Sequence, residues 1–225
     1  MSKITVCVVG KDKRQKYLAS YLEEQGLCVR YQEEFTPSQL KGNDYLVGPV
    51  TFYREGEIKA HAKEACEKAL VEIINYMECE EFLLKNAELT AEGLLAIIIQ
   101  NTSYALDDAK ILILGNGRCG KAILSILSRF SCQVDIDDEI PESLPKDSYN
   151  IVINTIPAPV LTRAFLQKFA KDCVFFEIAS PPGGFDKIAV EELNINLISC
   201  PGIPGLYSPQ SAGKAIGQTV IRIIS

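Results

Sequence analysis

An apolar run, Ile111-Leu112-Ile113-Leu114, passes directly into Gly115-Asn116-Gly117-Arg118-Cys119-Gly120, and a helical pattern resumes at Lys121. Strand, G-x-G-x-x-G and helix in that order constrain the fold more than any other feature. The first glycine suits a tight turn. The second lets a pyrophosphate approach the backbone. The third lets the helix pack close to the strand. The helix N-terminus then presents N–H groups suited to phosphate. Gly115, Asn116, Gly117, Arg118, Cys119 and Gly120 are therefore candidate cofactor-binding residues, the alternative being a plain tight strand–helix turn. Cys119 lies at a helix N-terminus, which can lower a thiol pKa, although its small side chain also suits packing.

Short apolar strands alternate with amphipathic helices along the whole chain, which implies an α/β fold with parallel sheets. Strands are expected at 4–9, 27–31, 45–47, 70–74, 110–114, 132–136, 151–153, 174–178 and 196–199. Helices are expected at 14–25, 62–69, 121–130 and from Ser208-Pro209 to the C-terminus, with serine as N-cap and proline at the first helical position. Thr90 can cap a long helix over 90–106, with Glu92 in its first turn. That helix divides the chain into an N-terminal flavodoxin- or Rossmann-like, substrate-side domain, 1–89, and a dinucleotide-binding Rossmann domain, 90–225. The helix over 208–225 returns toward the first domain.

Composition excludes several classes. Net charge is −6, which argues against a nucleic-acid partner. The 8 cysteines contain no C-x-x-C pair, and with a single histidine, His61, no metal-ligand set is expected. The opening apolar run is too short for a signal-peptide core, and no stretch is long enough to span a membrane. These features fit a reduced, cytoplasmic protein.

In an open parallel sheet, ligands bind outside the carboxyl ends of the strands. Three successive strands here end in loops rich in glycine, proline and asparagine: Asn154-Thr155-Ile156-Pro157, Ala179-Ser180-Pro181-Pro182-Gly183-Gly184 and Pro201-Gly202-Ile203-Pro204-Gly205. The first is a candidate cofactor contact. The residues Ala179, Ser180, Gly183, Gly184, Pro201, Gly202 and Ser208 are candidate substrate contacts, the last at a helix N-terminus suited to a carboxylate. Asp138 lies about 20 residues past the glycines, where a carboxylate accepts hydrogen bonds from a ribose diol and repels a 2′-phosphate, favouring NAD over NADP if either binds, the alternative being a solvated acidic loop over Asp135 to Glu142. The connection from Glu139 to Asn150 is short and carries Pro141 and Pro145, so it is not expected to form a regular helix, and one βα unit is missing. In the first half, Gly10-Lys11-Asp12-Lys13-Arg14-Gln15 opens a helix at a strand end, with Arg14 as a fork-shaped anion partner.

Taken together, Gly10 to Gln15, Thr90-Ala91-Glu92-Gly93, the glycine turn, Asn154 to Pro157, Ala179 to Asp186, Pro201 to Gly205 and Ser211-Ala212-Gly213 resemble the dipicolinate synthase A-subunit family, of which this chain looks like a shortened member. The resemblance implies two Rossmann-like domains and a nicotinamide-dependent oxidation of a dihydrodipicolinate-type ring to dipicolinate. It also implies a small dicarboxylate substrate, a homo-oligomer, and a separate flavoprotein as B subunit. Arg14, Thr90 and Glu92 would then face substrate. The family pattern near Asp138 is more often basic or small, which suits NADP. A second reading, of a different class, is a non-catalytic ligand-binding or scaffold protein with an eroded cofactor pocket.

Overall fold

Parallel strands need long crossover connections, usually helical, and among the described residues every strand-to-strand ladder is parallel. The computed structural model describes residues 3–53, 57–138 and 149–225. They form two compact units, one of residues up to Asn86 together with Pro204–Ser225, the other Ala87–Ile203.

The first unit contains β1 (Thr5–Val9), α1 (Lys13–Glu24), β2 (Cys28–Gln32), β3 (Tyr45–Val47), α2 (Glu57–Ala69) and β4 (Glu72–Ile73), in the sheet order β2-β1-β3-β4. Helix α2 begins five residues before the expected Ala62, and β4 is two residues long. Alternate residues of β1 serve opposite faces. Val6 and Val8 pack with Leu18 and Leu22 of α1, while Cys7 and Val9 pack with Leu40, Phe52 and Ala62.

Helix α3 (Glu80–Asn101) carries Phe82 into the core of the first unit and Leu94, Ile97 and Ile98 into that of the second. It starts ten residues before Thr90. Thr90 is therefore an interior, buried position rather than a cap. The stretch Glu80 to Leu89 is rich in strong helix formers, and its first turn carries Glu80 and Glu81, so nothing local stops the helix short of Thr90.

The second unit contains β5 (Lys110–Leu114), α4 (Arg118–Leu127), β6 (Gln133–Asp137), β7 (Ile151–Asn154), α5 (Arg163–Leu166), β8 (Val174–Glu177), α6 (Lys187–Glu192) and β9 (Asn196–Ser199), in the sheet order β6-β5-β7-β8-β9. Strand β5 is buried on both faces, Ile111 and Ile113 in one core and Leu112 and Leu114 in the other. Among the described residues β6 is an edge strand. Most of the connection expected to lack a regular helix, 139–148, lies outside the described residues.

A short helix, α7 (Ile203–Tyr207), occupies part of the stretch expected as the loop Pro201 to Gly205, and α8 (Pro209–Ile224) follows with Ser208 at its N-cap. Helix α8 packs against α1 through glycines. A Cβ at Gly213 would lie 2.6 Å from the Arg14 carbonyl oxygen, and one at Gly217 would lie 2.3 Å from Tyr21 Cδ1. The Arg222 guanidinium pairs with Glu81 at the start of α3. These contacts group the C-terminal helix with the first unit, whereas a division at residue 89 counts it with the second.

Candidate functional site

The three glycines of the turn differ in what surrounds them. Gly115 has φ +98°, and its N–H donates to the Asp137 carbonyl at 2.7 Å, which binds the turn to the end of β6. Gly120 lies under the turn. A Cβ there would sit 1.9 Å from the Gly115 carbonyl oxygen, so only glycine lets α4 approach β5 this closely. Gly117 is the opposite case. It is the N-cap of α4, no side chain caps the helix there, and a Cβ would meet nothing within 4 Å. Open space before an uncapped helix N-terminus is what a pyrophosphate needs. The turn therefore fits a dinucleotide.

Asp138 follows β6, and its Oδ1 accepts the Asn116 N–H at 2.5 Å. This bond sets an exposed carboxylate beside the glycine turn, on the β6 side. At Cys119, burial pushes the thiol pKa up and the Arg118 guanidinium only partly offsets it. The packing role, not a reactive thiolate, is what the surroundings favour.

The loop after β7 departs from expectation. Asn154 and Thr155, expected as cofactor contacts, both turn their side chains onto the protein. The Thr155 hydroxyl lies 2.9 Å from the Leu114 carbonyl and 3.2 Å from that of Gly115, where it braces the turn from below. Asn154 is fully buried. Its amide nitrogen donates to Glu177 Oε1 at 2.9 Å and to the Ile156 carbonyl at 3.0 Å, and its Oδ1 accepts the Ile156 N–H at 3.2 Å. A parallel strand end with no free face leaves such a side chain nowhere to go but its neighbours. Ile156 is half-buried and Pro157 exposed at the same edge.

Glu177 is a residue that the sequence reading misses. It ends β8, and its carboxylate gathers the loops around it. Oε1 also accepts the Ala179 N–H at 3.0 Å, and Oε2 accepts the Gly184 N–H at 2.6 Å. A hint is present in the residues: a lone acid at the end of an apolar strand, two residues before a glycine- and proline-rich loop.

The structure thus brings Gly115 to Gly120, Asp138, Thr155 to Pro157, Ala179 to Gly184 and Pro201-Gly202 to one carboxyl edge of the five-stranded sheet. Arg14 and Ser208 belong to the first unit, and Thr90 and Glu92 to α3. Arg14 is already engaged. Its backbone N–H donates to Asp12 Oδ1 at 2.9 Å and its Nε to Asp12 Oδ2 at 2.9 Å. A Cβ on Gly205 would lie 2.8 Å from Asp12 Oδ2 and 2.9 Å from Arg14 Nε, so the pair is closed over by α7. Burial alone would raise the Asp12 carboxyl, but the Arg14 guanidinium and N–H overcome it and hold its pKa below the ordinary value. A ligand carboxylate at the Nε and Nη2 of Arg14 would compete with Asp12. His61 has its ring edge-on to Phe35 and is exposed. Among the described residues no cluster of metal ligands occurs, and no helix is long and apolar enough to cross a membrane.

No family model matches the chain. The A subunit of dipicolinate synthase from Bacillus subtilis is 25% identical over 190 residues, which cover 76% of this chain and 63% of that protein. The chain thus matches less than two thirds of that relative's length. The crystal structure of the dipicolinate synthase A subunit from Bacillus halodurans superposes with a TM-score of 0.81 at 18% identity, covering 99% of this chain and 98% of that one. Its counterpart from Bacillus subtilis gives 0.76 at 21% identity, over 100% and 96%. Dehydrogenases share the fold more distantly. An NAD+-bound 3-phosphoglycerate dehydrogenase from Entamoeba histolytica gives 0.60 at 14% identity, over 99% and 94%. The likeness carried by the loop motifs is met in both sequence and fold: this chain resembles the A subunit of dipicolinate synthase over most of its length.

Proposed function

We propose that this chain is a nicotinamide-dependent oxidoreductase of the dipicolinate synthase A kind, oxidising a dihydrodipicolinate-type ring to dipicolinate. The observation that carries the reading is the glycine turn: Gly120 jammed against Gly115, Gly117 facing open space, and the uncapped start of α4 behind it. In this reading Gly115 to Gly120 hold pyrophosphate, and Asp138 accepts the ribose diol and disfavours a 2′-phosphate, so NAD is preferred to NADP. The loops Ala179 to Gly184 and Pro201-Gly202 border the nicotinamide and the substrate. A bound nicotinamide supplies the hydride acceptor; the ring loses one hydride and one proton and becomes aromatic. A second copy of the chain and a flavoprotein partner of the B type belong to the same reading and rest on the resemblance, whereas a cytoplasmic setting rests on the composition.

Titration of the chain with NADH and NADPH, followed by dipicolinate, tests it. Saturable binding of NADH, tighter than NADPH, together with binding of dipicolinate is expected. No binding of either nucleotide at millimolar concentration would refute the proposal and leave a ligand-binding or scaffold role on this fold.

A further inference from the structure

The ends of β7 and β8 are locked together by one polar pair, a buried asparagine and a half-buried glutamate. Asn154, at the end of β7, donates to Glu177, at the end of β8. Glu177 in turn holds both shoulders of the next loop through the N–H groups of Ala179 and Gly184. The lock is closely fitted. A Cβ on Gly184 would lie 2.3 Å from Asn154 Nδ2, and one on Gly183, at φ +81°, would lie 3.1 Å from Glu177 Oε2. The loop after β7 is tied in as well, since Leu161 N–H donates to the Gly184 carbonyl at 2.8 Å and Asp186 N–H to the Leu161 carbonyl at 3.1 Å. Three donors, from Asn154, Ala179 and Gly184, converge on one carboxylate. Neutralising it leaves at least one of them facing another donor, because a glutamine amide offers a single acceptor oxygen.

The lock lies on a particular side of the candidate cofactor site. Asp138 follows β6, to one side of the glycine turn that ends β5, and β7 and β8 lie to the other. Neighbouring strands are about 4.8 Å apart, which puts the end of β8 about 10 Å from the end of β5. A dinucleotide whose first ribose meets Asp138 and whose pyrophosphate meets Gly117 extends its second half toward the loop that Glu177 shapes. We infer that Glu177 is a positioning residue for the nicotinamide end of the cofactor, acting through the Ala179 to Gly184 loop and not by touching the ligand. The inference rests on the proposed binding of a dinucleotide at the glycine turn.

The test compares two ligands on the full chain by calorimetric titration: the reduced dinucleotide (NADH or NADPH, whichever binds tighter) and the matching ADP-ribose or its 2′-phosphate, which lacks the nicotinamide. The wild-type chain is expected to bind the dinucleotide more tightly. Glu177→Gln should weaken the dinucleotide about tenfold and leave the ADP-ribose within about twofold. Gly184→Ala, which displaces the loop while keeping the carboxylate, should show the same selective loss. In the wild-type chain, amide exchange across 179–184 should slow with the dinucleotide and not with the ADP-ribose. Equal wild-type affinities for the two ligands, losses that strike both alike, no loss in either variant, or equal exchange protection would each overturn the inference while leaving the dinucleotide site in place. A wild-type chain that binds neither ligand overturns both.

Discussion

Gly117→Asp separates a ligand-binding turn from a merely structural one. Gly117 has φ −75° and ψ −166°, ordinary extended backbone, and a side chain there would meet nothing within 4 Å. An aspartate therefore fits without displacing any neighbour. At the N-cap of α4 it also supplies the missing cap, so stability should hold or rise by a few tenths of a kcal/mol. The same carboxylate enters the open space that the proposed function assigns to pyrophosphate. At about 5 Å, each of the two pyrophosphate charges is repelled by about 0.8 kcal/mol in a bulk-water dielectric, and by about 3 kcal/mol at an effective dielectric of ~20. Even the lower figure, summed over both charges, is about 1.6 kcal/mol, or more than about tenfold in affinity. Gly117→Asn adds nearly the same bulk and cap without the charge, so the ratio of the two dissociation constants isolates the electrostatic part. NADH titration and a thermal melt of both variants supply the readout. Equal NADH affinity in the aspartate and asparagine variants would refute the placement of pyrophosphate at Gly117. A fall of several degrees in the melting temperature would refute the claim that the position is open.

Other consequences concern the rest of the architecture. Gly213→Val should destabilise the first unit by about 2–3 kcal/mol, because its side chain would press on the Arg14 carbonyl and Tyr17; an unchanged melting temperature would contradict the α1–α8 packing. The Asp12 pKa is lowered in the folded state, so its contribution to stability is present above the ordinary value of 3.8 and is lost as pH falls through the lower folded value. Asp12→Asn keeps an N-cap acceptor but removes the charge, and its melting temperature should fall less steeply with acid than that of the wild type; identical acid profiles would dismiss the Asp12–Arg14 pair as a stabilising contact. Asp138→Ala should narrow the preference for NADH over NADPH, checked by parallel titrations, and an unaltered ratio would remove Asp138 from the ribose.

Which parts of the molecule are legible in the residues follows from how local each signal is. The run Ile111 to Leu114 needs only itself and two flanking cores to become a central strand, and the glycine spacing after it needs only a turn and a helix. Both are local, and both are readable. The loops after β7 and β8 announce themselves by glycine and proline for the same reason, whereas the stretch after β9 continues from Ile203 into a short helix despite the same residue types. Thr90 shows the limit of local reading: a good capping residue in a helix whose preceding ten residues are equally good helix formers simply becomes interior. Arg14 shows another. Its partner Asp12 is two residues away, yet whether that pair stays closed depends on Gly205, far along the chain.

Sequence by itself determined the α/β class and the strand–glycine turn–helix unit on which the proposed site is built, because strand, turn and helix propensities act over a few residues. Tertiary structure alone decided that Asn154 and Thr155 brace the site rather than face it, that Glu177 holds the next loop, and that α8 belongs with α1. Each of those outcomes depends on donors, acceptors or bare glycine backbone arriving from distant segments at separations of a few ångströms, and sheet order, not local sequence, sets those separations.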